Sequence, residues 1–197
     1  MKDFNAYRHI FVDKIKLQFS MGKWSLKSGL ISGGIMVILF FLFHILFIKD
    51  FNAKMWEVGE VIGYSSVLLA LTAIFFGIKA YRDKVLGGNI SFGKAFTLGL
   101  GISGVASLIF GIYIYLLYEV ISPGLSGKMI EVYRQKIQTS GETQQVIAEQ
   151  LARFESEAVL WNNTLLQSLV MVLTVFMIGV LISLISAAIL KRKNVLA

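Results

Sequence analysis

Three sets of residues have the types and spacing for chemistry. The run Gly88-Asn89-Ile90-Ser91-Phe92-Gly93-Lys94 has two glycines separated by four residues and followed by lysine. That is the opening of a phosphate-binding loop, in which backbone N–H groups cradle phosphates and the lysine reaches over them. The position after the lysine must then be Ser or Thr to hold magnesium, and here it is Ala95. Such a loop also follows a strand in a soluble α/β unit, whereas a long apolar stretch precedes this one. Nucleotide hydrolysis is therefore not expected. Gly87-Gly88-Asn89 as a plain turn is the favoured reading. The sharper one is a helix start that, beside Arg82, Lys84 and Lys94, attracts a lipid phosphate.

His44 is the second candidate, an imidazole near the outer end of an apolar span. An ionisable group inside a span is a functional hypothesis by default. No second His, Asp or Glu lies within a turn of it, which favours one neutral interhelical hydrogen bond over a proton relay. The third set is the carboxylates Glu119, Glu155 and Glu157. A carboxylate pair does acid–base work only in a pocket that positions a substrate. Nothing near these three marks one, and a solvated helix face is the expected setting. With no cysteine in the chain, thiolate chemistry and Cys-ligated metals are excluded. No catalytic residue, cofactor or metal site is assigned.

The elements that must position these residues are legible from hydropathy. The chain has 197 residues, 56% hydrophobic and 16% charged, with one proline and a mean hydropathy of +0.71. A soluble domain is roughly 45–50% apolar and about 25% charged. Charge-free runs are read as four spans, at about 29–48, 61–78, 95–118 and 165–190. A twenty-residue helix covers roughly 30 Å, the thickness of the hydrocarbon layer. Phe51 and Trp56, and Tyr113, Tyr115 and Tyr118, read as interfacial aromatics. Residues 1–27 read as a basic segment, with Phe4, Tyr7, Phe11 and Ile15 at helical spacing, forming a helix on the inner membrane surface or a solvated tail. Residues 28–197 then form one membrane domain. Its polar stretch 119–163 contains two amphipathic helices about a Thr139-Ser140-Gly141 turn, a helical hairpin over the outer end. The expected fold is all-α: a four-helix transmembrane bundle with an extracytoplasmic hairpin between spans three and four.

Orientation follows from charge. The chain carries 19 Lys and Arg against 12 Asp and Glu, a net charge of +7. Thirteen of the 19 lie in the N-terminal segment, the second loop and the C-terminus. With both termini cytoplasmic, all thirteen fall on one side, as the positive-inside rule requires. The positive balance thus reads as a face beside anionic headgroups, and nucleic acid is not an expected partner. Small residues recur one turn apart: Gly29 and Gly33; Gly59 and Gly63; Ser103, Ser107 and Gly111; Gly179 and Ser183. They let backbones approach where lipid supplies no hydrophobic force. Spans three and four are expected to meet through their stripes, either within one chain or between two copies.

The run from Ile74 to Tyr118 resembles the domain of unknown function 4199 family. The likeness rests on Tyr81-Arg82-Asp83 at the end of the second span, on Gly87-Gly88, and on Ser91 to Phe96 at the start of the third. It extends over about residues 25–193, and the segment 1–24 lies beyond it. The resemblance implies a small bacterial inner-membrane protein of four helices and brings no activity or catalytic residues. The expected role is a non-enzymatic scaffold or accessory subunit, joined to lipid and to another membrane protein or a second copy. The alternative is a small transporter or lipid-binding protein. Buried charges or broken helices near the midplane would mark a transporter; these spans carry neither formal charge nor proline.

Overall fold

The computed structural model describes residues 2–47 and 53–192, with side chains described over 17–46, 58–158 and 162–192. Among them are six α-helices: α1 (Lys2–Phe47), α2 (Ala53–Lys84), α3 (Phe92–Leu116), α4 (Leu125–Gln138), α5 (Gln144–Trp161) and α6 (Thr164–Leu190). A π-helical turn, Leu117–Ile121, extends α3. The only β pairing among the described residues is a single antiparallel bridge between Ile90 and Arg192. Phe51 and the side chains of Phe4, Tyr7, Phe11, Ile15 and Trp56 lie outside the described residues.

Local chemistry sets the breaks. Gly87 and Gly88 adopt φ of 64° and 91°, a left-handed pair that ends α2 and that side chains with a Cβ rarely adopt. Ser91 and Asn163 cap α3 and α6 by accepting from the backbone N–H groups of Lys94 and Leu166. The single proline, Pro123, falls between the π-helical turn and α4, where no helical N–H is required of it.

The stretches of α1 to α3 and α6 that can cross a membrane are Leu17–Leu46, Val58–Lys84, Phe92–Ile121 and Thr164–Leu190. Each is longer than the charge-free run that announces it; in α1 and α2 the added turns at the basic end carry Trp24, Tyr81 and Arg82, which are tied into the protein. The segment 1–27 is not a helix apart from the first span. From Lys2 onward it is continuous with it, 46 residues in all, about 70 Å at 1.5 Å per residue. Met21 and Trp24 explain the continuity: both pack against the bundle core, so the helix has reason to run on through Gly22.

The third span is the centre of the bundle. Half of its most apolar window is buried (50%), against 33% for α2 and 22% for α1 and α6. It touches α1, α2 and α6, and Leu98, Ile102 and Phe110 join Met36, Leu71, Ile74, Ile78 and Val175 in one apolar core. Outward faces carry exposed Leu, Ile and Phe, such as Leu30, Ile38, Leu69, Phe76, Leu108 and Leu181, as lipid solvation demands.

Three seams of small residues hold the helices together. Between α3 and α6 the contact is reciprocal. A Cβ on Gly179 would stand 2.6 Å from Ser103 Oγ, and one on Gly99 would stand 2.6 Å from Ser183 Oγ. The two hydroxyls are 3.3 Å apart. Each also donates to the carbonyl one turn back, Ser103 to Gly99 (2.8 Å) and Ser183 to Gly179 (2.7 Å). Further along, Gly111 lies against Val172, and a Cβ built on it would stand 3.4 Å from the Ser168 carbonyl. Ser107, on the same stripe, is buried and donates to the Gly104 carbonyl at 2.9 Å. In the second seam, α1 presents Gly29 to Val105 and Gly33 to Ile109 of α3. In the third, the Phe43 and Phe40 rings of α1 lie 3.1 and 3.6 Å from a Cβ built on Gly59 and Gly63 of α2. Ser32 adds a buried 2.8 Å hydrogen bond to the Ala70 carbonyl.

Steric exclusion, rather than the hydroxyl pair, carries the first seam. Gly179→Leu forces a branched side chain onto Ser103 and should lower unfolding stability in detergent by at least the ~1–3 kcal/mol of an overpacked core. Ser103→Ala should cost only about 0.6 kcal/mol, the average for an interhelical polar contact. Thermal or denaturant unfolding of both variants checks this; equal losses would contradict it.

Candidate functional site at the basic end of the bundle

The sequence's phosphate-loop pattern falls in the connection between α2 and α3. There two of its backbone donors, those of Gly88 and Lys94, are already used. The Gly88 N–H returns to the Arg82 carbonyl (2.9 Å), and the Lys94 N–H goes to Ser91 Oγ (3.4 Å). Ala95 N–H goes to the Ser91 carbonyl. The segment is a tight glycine turn leading into a capped helix start.

Arg82 does not point to solvent. It is 6% exposed and grips Asp83 with two donors, Nε to Oδ1 at 2.7 Å and Nη2 to Oδ2 at 3.2 Å. Its Nη1 reaches the Leu190 carbonyl at 3.4 Å. That carbonyl belongs to the last turn of α6, where a cation complements the helix dipole and an orphan acceptor. One residue pair further out, the Arg192 N–H donates to the Ile90 carbonyl at 2.9 Å. The connection therefore clasps the end of α6. Lys84 and Lys94, by contrast, are exposed, and of the three cations singled out from sequence these two are free to meet a ligand. Trp24 completes this end. Its Nε1 donates to the Gly77 carbonyl at 3.0 Å, and its ring stands edge-on to Tyr81 at 5.6 Å.

At the far end, His44 Nε2 lies 2.9 Å from Ser122 Oγ. Ser122 follows the π-helical turn, so the bond ties the end of α1 to the exit of α3. The imidazole thus makes one hydrogen bond between two elements of the bundle. The three carboxylates do not converge. Glu155 pairs with Arg134 at 2.9 Å, which also bonds Glu131, and Glu155 followed by Glu131 raises the Arg134 pKa. Glu119 sits in the π-helical turn, exposed, and Glu157 is exposed on α5.

Sequence reasoning missed Ser25, Ser32, Gly77 and Gly99 as contact residues. A signal was present for the serines: Ser25, Ser28 and Ser32 share the helix face of Gly29 and Gly33, at spacings of three and four.

Four helices long and apolar enough to cross a membrane, packed about a filled interior, are the build of a multi-pass helical membrane protein. The chain belongs to the family described as Protein of unknown function (DUF4199), which it matches over residues 27–192. No curated protein and no solved structure is detectably similar to it. The matched region begins at Lys27 and ends at Arg192, and so includes the clasp and every small-residue seam from Gly29 onward.

Two outcomes follow for these contacts. Arg82→Gln removes the charge over the Leu190 carbonyl and should expose the backbone around Lys191 and Arg192, so that trypsin cleaves there several times faster in detergent; an unchanged rate would refute the clasp. His44→Phe and Ser122→Ala should each destabilise slightly, with a coupling of about 0.6 kcal/mol in a double-mutant cycle. Strict additivity would show that the bond contributes nothing.

Proposed function

We propose that the chain is a non-enzymatic scaffold or accessory subunit of a bacterial inner membrane, with both termini cytoplasmic, which holds α4 and α5 on the extracytoplasmic side as a hairpin for a partner protein. The observation that carries this reading is a second core. Ile130, Ile137, Phe154 and Ala158 form an apolar cluster separate from that of the bundle, flanked by Tyr133, Ile147 and Leu151. Two helices of 14 and 18 residues would be marginal alone in water. Here they are closed on each other by the Tyr133–Phe154 ring contact at 4.7 Å and by the Arg134–Glu155 pair. They are tied to the bundle by Leu125, which joins the main core, and by Tyr118, whose hydroxyl donates to Met129 Sδ at 3.4 Å. A preordered polar surface on a membrane frame binds with little ordering cost.

The orientation rests on the basic residues. Lys79, Lys84, Lys94, Lys191 and Arg192 share one end of the bundle with the N-terminal segment, and positive charge favours the cytoplasmic side. Partners in this reading are anionic headgroups at that end, and another membrane protein or a second copy at the other. Nucleic acid is not among them. A lipid-binding role is the second reading, favoured by a groove between α1 and α3.

Photo-crosslinking in native membranes tests the first reading. A crosslinker at Gln138 or Glu142, both exposed beside the turn between α4 and α5, should give one discrete protein adduct that Arg134→Glu abolishes. Adducts to lipid alone, or a protein adduct indifferent to Arg134→Glu, would defeat the proposal. A reporter fused after Ala197 should read as cytoplasmic.

A further inference from the structure

The seam between α1 and α3 has a fixed register. Ser25 Oγ is 2.6 Å from a Cβ built on Gly101, Val105 Cβ is 2.5 Å from one on Gly29, and Ile109 Cβ is 2.9 Å from one on Gly33. The pairs 25 with 101, 29 with 105 and 33 with 109 advance one turn at a time in the same direction, so the two helices run parallel. Continuing toward the basic end, the next pairs are Met21 with Thr97 and Gln18 with Lys94. There the close contact stops. A Cβ added to Gly22 or to Gly93 would meet nothing within 4 Å. The seam unzips into a lateral groove of about 740 Å³, within the roughly 300–1,000 Å³ of small-molecule sites.

Its chemistry changes along its length. Gln18 and Lys94 stand at the mouth, and Leu26 and Val105 line the deep end, where Ser25 over Gly101 closes the floor. Among the described residues no carboxylate lines it. A groove that opens sideways between two membrane spans faces hydrocarbon chains over its depth and headgroups at its mouth. The gradient matches one molecule of the surrounding leaflet laid along the seam. A second copy is a poorer fit, since a symmetric contact here would set Lys94 against Lys94.

We propose that this groove holds one anionic phospholipid, its phosphate at Lys94 and Gln18 and one acyl chain running past Gly22 and Thr97 to the Ser25–Gly101 floor. Gly22 is the residue that keeps the groove open. Unlike Gly29 and Gly33 it receives no neighbour, so its lack of a side chain serves space rather than packing. Lys94, in the first turn of α3, adds its charge to the positive end of the helix dipole.

Native mass spectrometry of the full chain, delipidated in detergent and titrated with phosphatidylglycerol or with phosphatidylcholine of the same acyl chains, tests this. One tightly retained phosphatidylglycerol per protomer is expected, with phosphatidylcholine weaker by about fivefold or more, the worth of one lysine at an anionic headgroup. Lys94→Gln should abolish that preference. Gly22→Phe, which fills the groove from an open position, should remove the adduct without lowering the melting temperature. Thr97→Phe narrows the groove from the opposite wall and should do the same, and it decides the matter if Gly22→Phe fails to fold. Equal retention in the filled variants would overturn the proposal. So would equal binding of the two lipids, displacement by millimolar glycerol phosphate, or a dimer that Gly22→Phe dissociates.

Discussion

The structure depends on how closely the backbones of α3 and α6 approach. In hydrocarbon, apolar side chains gain nothing by leaving lipid for protein, so helices associate through contact area and hydrogen bonds. Between α3 and α6 the contact is close where Ser103 sits on Gly179 and Ser183 on Gly99. The arrangement is self-consistent: each serine donates back to the carbonyl of the glycine that receives its partner. The hydroxyls are thus satisfied within their own helices, and neither needs an extended reach to cross the seam. A larger residue at any of the four positions would push the backbones apart and open the core behind them.

From that seam the rest of the fold follows outward. With α3 fixed on α6, its other side offers Gly101, Val105 and Ile109 to α1, and its third face offers Ile102 and Phe110 to the common core. Closing the bundle brings the end of α2 onto the end of α6, where the buried Arg82 exchanges hydration for Asp83 and a helix-terminal carbonyl. A guanidinium suits this position because its donors fan out in a plane, two to a carboxylate and one to a carbonyl. At the opposite end the His44–Ser122 bond does a lighter version of the same work. The protein is therefore pinned by polar contacts at both membrane boundaries, and between them mainly by close packing, with the buried Ser32–Ala70 hydrogen bond added.

Much of this was legible beforehand, for a physical reason. Spans are recognised because hydrocarbon tolerates no charge over about 20 residues. Small-residue stripes are recognised because they have few other uses in a membrane helix, and Ser103, Gly111, Gly179 and Ser183 do lie at one interface. What the pattern cannot carry is the knob for each hole. Gly29 and Gly33 receive Val105 and Ile109, and Gly59 and Gly63 receive Phe43 and Phe40, pairings fixed by a register that no periodicity encodes. Arg82 was misleading for a similar reason. A basic residue at the end of a span ordinarily reaches for headgroups, and only the arrival of the α6 terminus, 108 residues away, turns this one inward. The continuity of α1 was hidden too, since the lysines up to Lys27 resemble a boundary when Trp24 is not seen to be anchored on Gly77.

The most direct measurement uses the lack of native cysteine. Ser103→Cys and Ser183→Cys, introduced together, place two thiols where hydroxyls now lie 3.3 Å apart, close enough for a disulfide after a small adjustment. Oxidation in intact membranes should give an intramolecular bond and a faster-migrating monomer under denaturing conditions. Covalent dimers from the same pair, or two thiols that stay free, would show that α3 and α6 do not meet within one chain.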